Sequence, residues 1–446
     1  MNFPKILTCR WIRQAYGKGM TPEELLDEVI RRAGEHEEKN IWITKPSLEL
    51  VEPYIRRLPK DRENYPLWGI PFAIKDNIDL AEVPTTAACP EFSYTPRENA
   101  FVVQKLIDAG AIPVGKTNLD QFATGLVGMR SPYGEVHNVF QPELISGGSS
   151  SGSGASVAAG IVPFALGTDT AGSGRVPAML HALVGYKPPR GSWSTRGVVP
   201  ACASLDCVTV MTHSLEEAEW IDRCARGYDT ECIWSRPVEK GEKKAPEKIY
   251  LPDSLPRFYG DFAEIYREKW IRSVDRIERF GIKIEYIDYS MFEKAAAILY
   301  GGAYVAERWE DLKDFVEGHP GKTFPVTEQI LRSGMKPENT AAKLFENLHE
   351  LQYYRHRTEQ LLKDAVMIMP TAGGTFTREQ VRKDPVKTNN LMGLYTNHCN
   401  LLDLMAVAVP ENSSDRTYPF GITIFGLYDA ENLVCETAER FLDGEK

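Results

Sequence analysis

No Cys-x-x-Cys pair occurs among the eight cysteines, which stand at positions 9, 89, 202, 207, 224, 232, 399 and 435. The closest two, Cys202 and Cys207, have no partnering cluster of cysteine and histidine. No metal site is therefore expected, and the scatter reads as reduced thiols in an intracellular protein. Long hydrophobic runs are missing too. The most apolar segment, 155–166, falls well short of the ~20 residues needed to span a bilayer and contains Pro163. Met1-Asn2-Phe3-Pro4-Lys5 opens no apolar stretch of signal length, so the expectation is a cytoplasmic protein with no membrane partner. Positive charge is in deficit, at 52 basic against 62 acidic residues. The resulting net charge of −10 argues against a nucleic-acid partner, which needs a basic face. It leaves small substrates open, because one buried arginine reverses a local field.

What is present suits a soluble globular protein, with 43% hydrophobic and 26% charged residues. A prior of roughly 150 residues per domain would divide 446 residues into about three, yet single α/β units often exceed that size. Thr21-Pro22-Glu23-Glu24 supplies a capping hydroxyl, a proline at the first helical position and a glutamate three residues after the cap. Leu25, Val29 and Ile30 continue it as an apolar stripe to about His36. Residues 1–50 are expected to form a helical segment that packs on the body or joins two subunits, with the catalytic domain over 51–446.

From Trp68 to about Val210 the composition shifts to Gly, Ser, Ala and Thr with short apolar runs. Residues 72–74 and 112–115 read as buried strand ends, and 100–110 as a helix stopped by glycine, an order that predicts an α/β sheet. Residues 235–248 are charged and proline-bearing and read as an exposed connection. Helices are predicted over 261–280, with Tyr266, Trp270, Val274 and Ile277 on the apolar stripe, and over 340–363. Strands are predicted at 282–287, 366–369, 405–409 and 421–425.

Two serine clusters and one lysine carry the chemistry. Gly147-Gly148-Ser149-Ser150-Ser151-Gly152-Ser153-Gly154 is followed by Gly167-Thr168-Asp169-Thr170-Ala171-Gly172-Ser173-Gly174. Ser149 and Ser173 lie 24 positions apart, and Lys75 precedes Ser149 by 74. A serine hydroxyl is a weak nucleophile until a neighbouring base takes its proton. The available base here is lysine, and burial after the apolar run Phe72-Ala73-Ile74 would lower its pKa and supply a neutral amine. Glycines let backbone N–H groups approach a ligand closely, so Thr170, Ala171, Gly172 and Ser173 are candidates for an oxyanion nest. Asp169 is suited to hold that loop through local hydrogen bonds. A Gly-rich loop opening a helix also suits phosphate, but no Gly-Lys-Ser/Thr pattern at phosphate-loop spacing is present.

This joint arrangement resembles the amidase signature family, strongly over about residues 65–210 and more loosely elsewhere. The resemblance implies an α/β/α sandwich with a mixed central sheet flanked by helices. It implies Ser173 as nucleophile, Ser149 as relay behind a cis peptide, and Lys75 as the ultimate base, with no cofactor. The eight histidines, His137 and His181 included, are then structural.

Within that family, the segments 78–90, 121–128, 170–178, 203–207, 395–397 and 400–404 look like allophanate hydrolase. Thr170-Ala171-Gly172-Ser173 has alanine where many amidases have a second glycine. The likeness implies Gly125, Tyr300 and Arg308 as substrate-binding residues. Allophanate is a urea bearing a carboxylate, and arginine grips a carboxylate with two parallel hydrogen bonds. On a straight helix Tyr300 and Arg308 would stand ~12 Å apart along the axis, too far to hold one small anion. Gly301-Gly302 breaks the helix, or one of the two acts indirectly. The expected reaction releases ammonia and N-carboxycarbamate. Full-length allophanate hydrolases commonly carry a further C-terminal domain associated with decarboxylation, whereas this chain stops at Lys446. The expected partners are thus a small anionic amide, a second copy in a homodimer, and a separate protein that handles the product. The alternatives are an amidase for another small amide or a carboxylated biuret, and a glutamine-using component of an amidotransferase.

Overall fold

Residues that alternate along the central strands enter two different hydrophobic clusters, and this period of two builds the fold. Met405 and Val407 join one cluster, while Leu404 and Ala406 join the other; Val366 and Ile368 separate from Ala365 and Met367 in the same way. Strands buried on both faces read as unbroken apolar runs, as Leu404-Met405-Ala406-Val407-Ala408-Val409 does.

The computed structural model describes residues 2–444. Its strands are β1 (Trp42–Thr44), β2 (Pro71–Lys75), β3 (Ile112–Thr117), β4 (Phe164–Thr168), β5 (Val184–Lys187), β6 (Val208–Thr212), β7 (Lys248–Pro252), β8 (Lys283–Ile287), β9 (Ala365–Pro370), β10 (Leu404–Pro410) and β11 (Gly421–Leu427). They form one mixed sheet in the order β1-β3-β2-β4-β6-β5-β10-β11-β9-β7-β8. Strand β2 runs parallel to both β3 and β4, and β7 runs parallel to β8 and β9; the remaining pairs are antiparallel. Helices cover both faces. Pro22–Glu35, Ala263–Glu278 and Glu431–Asp443 pack into one cluster, and Ser290–Gly301 with His398–Leu401 into the other. The α/β architecture with helices flanking a mixed sheet is the one the sequence predicts.

The first capping box forms in both directions: Thr21 Oγ1 accepts from Glu24 N–H (3.2 Å), and Glu24 accepts from Thr21 N–H (2.9 Å). The buried stripe of that helix is Leu25, Leu26, Val29 and Ala33, which leaves Ile30 half-exposed. The helix predicted over 261–280 spans Ala263–Glu278, and Val274 is only partly buried beside Tyr266, Trp270 and Ile277. Among the described residues no helix is long and apolar enough to cross a membrane. The parallel trio β3-β2-β4 matters most for chemistry. Its carboxyl ends bring Lys75, Thr117 and Thr168 to one edge of the sheet, the edge where open α/β sheets place their ligands.

Candidate active site

Lys75 ends β2 with a fully buried side chain. Its Nζ donates to Ser149 Oγ at 2.8 Å and to Thr168 Oγ1 at 2.6 Å. Burial pulls the ammonium down to about 7, against Asp120, Asp206 and Asp169, which favour its charged form. Ser149 follows a cis peptide bond from Gly148, as the resemblance implies. Ser150 ties the two serine segments together: its N–H donates to Ser173 C=O (3.3 Å) and its Oγ to Thr168 C=O (3.1 Å). The small residues of the helix Ser151–Ala158 are all buried, which lets it pack directly on β2, β3 and β4.

The Ser173 loop is wound around one carboxylate. Asp169 accepts from the N–H groups of Gly172 (2.7 Å), Gly174 (3.1 Å) and Arg175 (3.2 Å). The Arg175 guanidinium adds two parallel bonds at 2.9 Å, both side chains being fully buried. Burial pushes the Asp169 carboxyl up, but Arg175 outweighs it and holds the group below the usual carboxylate range. Gly172 has φ +125°, and a Cβ there would stand 2.3 Å from Thr396 Oγ1, so glycine is required on both counts. The structure corrects one expectation: the Gly172 N–H is committed to Asp169 and is not available to an oxyanion. Among the described residues, the N–H groups of Thr170, Ala171 and Ser173 carry no hydrogen bond.

Ser173 is nearly buried, and its Oγ donates to Gly125 C=O at 3.4 Å. Among the described residues no direct hydrogen bond joins Ser173 Oγ to Ser149 Oγ. Gly125, singled out with the substrate-binding residues, thus lies against the nucleophile candidate. Asp120 shapes this loop by accepting from the N–H groups of Val127, Gly128, Met129 and Arg130 at 2.8–3.2 Å.

Tyr300 and Arg308 do meet. The helix Ser290–Gly301 ends at Gly302, whose backbone is extended (φ −114°, ψ −168°), and a second helix, Val305–Gly318, follows. Arg308 Nη2 stands 3.4 Å from Tyr300 OH, and the guanidinium lies over the tyrosine ring, 5.1 Å from its centroid. Arg308 is 1% exposed, has no carboxylate partner among the described residues, and leaves its Nε without any hydrogen bond. Its remaining hydrogen bond among the described residues is Nη1 to Thr124 Oγ1 at 3.4 Å, one residue from Gly125.

Sequence reasoning passed over Thr168, Asp120, Thr124, Thr396 and Asn400. Asn400 Nδ2 donates to Asp169 C=O (2.6 Å) and Leu205 C=O (2.8 Å), and Thr396 Oγ1 to Ala171 C=O (2.7 Å). A strand-ending threonine directly before Asp169 was one visible signal, and the contacts of Asp120 are local, within ten positions; Thr124, Thr396 and Asn400 join segments 184, 225 and 231 positions apart. Among the described residues no histidine bonds Lys75, Ser149 or Ser173. His181 instead bonds Pro177 C=O at 3.0 Å, and burial pulls its pKa to about 4. No group of three or more His, Cys, Asp or Glu is placed to hold a metal among the described residues.

The family model for amidases matches residues 24–435. The urea amidolyase of Saccharomyces cerevisiae is 42% identical over 412 residues, covering 90% of this chain and 22% of that protein. The chain thus spans under a quarter of the length of that relative. The solved allophanate hydrolase of Kluyveromyces lactis superposes with a TM-score of 0.92 at 37% identity, covering 100% of this chain and 74% of that one. A component of the glutamyl-tRNA(Gln) amidotransferase of Halothermothrix orenii is 29% identical, with 94% of this chain and 93% of that protein covered. With nearly its whole length matched and the lysine and serines of the signature gathered at one sheet edge, the chain is a member of the amidase family.

Proposed function

We propose that this chain hydrolyses the terminal amide of allophanate, releasing ammonia and N-carboxycarbamate. The observation that carries the substrate is the Arg308 guanidinium, buried beside Tyr300 without a carboxylate partner, one residue away from the loop that touches Ser173. Asp206 and Glu307 favour the charged guanidinium from a distance, but no carboxylate is hydrogen-bonded to it among the described residues, and a substrate carboxylate would supply that partner. The likeness to solved allophanate hydrolase supports the same reading.

In this mechanism neutral Lys75 takes the Ser149 proton while Ser149 takes that of Ser173. For this, Ser173 exchanges its long bond to Gly125 for one to Ser149; catalytic hydrogen bonds often tighten only in the substrate complex. Ser173 Oγ then attacks the amide carbon, and the developing oxyanion faces the N–H groups of Thr170, Ala171 and Ser173. Collapse breaks the C–N bond, the relay returns its proton to the departing ammonia, and water hydrolyses the acyl-enzyme. A Lys75 amine that loses its proton near pH 7 serves as base at neutral pH.

The near-complete match to an amidotransferase component favours glutamine as the second reading. Ammonia release from purified protein with allophanate, biuret and glutamine separates the candidates: allophanate should be preferred, and preference for either other amide overturns the assignment. A homodimer in the cytoplasm and a separate protein acting on N-carboxycarbamate complete the proposal. Light scattering of the purified protein tests the first of these.

A further inference from the structure

The Thr124-Gly125 pair touches both halves of the site. Thr124 Oγ1 accepts from Arg308 Nη1 (3.4 Å) and donates to Phe122 C=O (3.1 Å). The next carbonyl, that of Gly125, holds Ser173 Oγ at 3.4 Å. The far side of the same short loop is anchored more firmly: Arg130 Nη1 donates to Thr124 C=O at 2.9 Å, and Leu126 N–H to Asn389 Oδ1 at 2.8 Å. The short contacts fix the loop, and the two long ones face the places where substrate carboxylate and nucleophile would be. A hydrogen bond at that length lies at the outer limit of useful geometry, so a displacement of a few tenths of an ångström exchanges it for another.

We propose that Thr124 is a positioning residue that couples occupancy of Arg308 by a carboxylate to release of the Ser173 hydroxyl from Gly125 towards Ser149. This deepens, and rests on, the reading of Arg308 as the carboxylate site. Among the described residues the guanidinium donates only to neutral acceptors, Thr124 Oγ1 and Tyr300 OH. A carboxylate is the better acceptor and draws Nη1 away from Thr124. The contacts of Arg308 therefore differ between the two states, which a ligand-driven shift requires. The nucleophile is turned to its relay only when an anion is in place, so uncharged amides meet a less reactive serine.

The test supplies the anion separately from the electrophile. Formate is titrated against inactivation by methanesulfonyl fluoride, in which the Ser173 Oγ–S bond forms, S–F breaks, fluoride leaves and the serine proton passes through Ser149 to Lys75. Formate should speed inactivation of the unmodified protein by about fivefold or more, the low end of typical coupling between sites. Thr124→Val should lose this acceleration and Thr124→Ser should keep it; Thr124→Ala serves if the valine variant does not fold. With allophanate, Thr124→Val should lower kcat by about tenfold and leave KM within about twofold, because Arg308 and Tyr300 still hold the carboxylate. Acceleration that survives in Thr124→Val overturns the coupling. Turnover of allophanate without any formate effect overturns it too, and leaves the substrate assignment standing. A Thr124-dependent formate effect without allophanate turnover keeps the coupling and overturns the substrate. Neither effect overturns both.

Discussion

In the proposed mechanism Ser173 supplies reactivity and Arg308 recognition, and single substitutions separate the two. Ser173→Ala removes the hydroxyl that the Asp169-wound loop presents at Gly125. It should abolish covalent labelling by a serine-directed probe and cut turnover by at least about a thousandfold, as loss of an activated nucleophile does. Labelling that persists in the variant would place the nucleophile elsewhere. Arg308→Lys keeps the charge and loses the planar fork. The change is not conservative where a carboxylate is gripped by two bonds. We expect kcat/KM for allophanate to fall by about tenfold or more, roughly 1.4 kcal/mol, with a much smaller loss for an uncharged amide. Equal losses on both substrates would make Arg308 a structural residue.

The break between the helices Ser290–Gly301 and Val305–Gly318 is the element that makes Arg308 useful. Its two glycines are not equivalent. A Cβ on Gly302 would stand 2.7 Å from Asn347 Oδ1 and from Ile298 C=O, whereas one on Gly301 meets nothing within 4 Å. Asn347 Oδ1 also accepts from Ala303 N–H at 2.9 Å and so holds the turn. Gly302→Ala should therefore force the two helices apart, separate Tyr300 from Arg308, and raise KM for allophanate by about fivefold to tenfold; a misplacement of about 1 Å is enough for losses of that order. Gly301→Ala should leave KM within about twofold. Identical behaviour of the two variants in steady-state kinetics would remove the turn from substrate recognition.

At the scale of the whole molecule, the sheet places a lysine where water does not reach, and that placement has a cost in stability. Lys75 sits at about 7 in the folded protein through burial, against about 10.4 in an unfolded chain. Between these values the unfolded state binds more protons than the folded one, so stability rises with pH across that window. Lys75→Met keeps the apolar stem and removes the titration. It should be inactive, more stable than the unmodified protein at pH 7, and progressively less advantaged as pH climbs towards 10. The gap should narrow by roughly 1.4 kcal/mol for each unit of pKa difference. Denaturant melts at several pH values read this directly, and a gap that stays constant with pH would show that Lys75 titrates alike in both states. Below about pH 7 the difference should level off, because both states then carry the proton.

Local features were legible in the sequence. The Thr21 cap forms with its Glu24 partner, and the strands predicted at 72–74, 112–115, 366–369, 405–409 and 421–425 all fall inside observed strands. Each depends on neighbours within a few positions, or on an apolar period that burial reads directly. Orientation was not legible. Asp169 does hold the Gly172 N–H, as its place three residues upstream suggests, but nothing local states that Ser173 Oγ faces Gly125 or that Thr168 shares Lys75 Nζ with Ser149. The meeting of Tyr300 with Arg308 depends on the break between the two helices, where Ala303 N–H bonds Asn347, forty-four positions beyond it. A hydrogen bond is decided by tenths of an ångström and by angle. Those are set only when distant segments pack. The order of residues along the chain thus fixes which groups are present, and packing in three dimensions fixes which of them are already engaged.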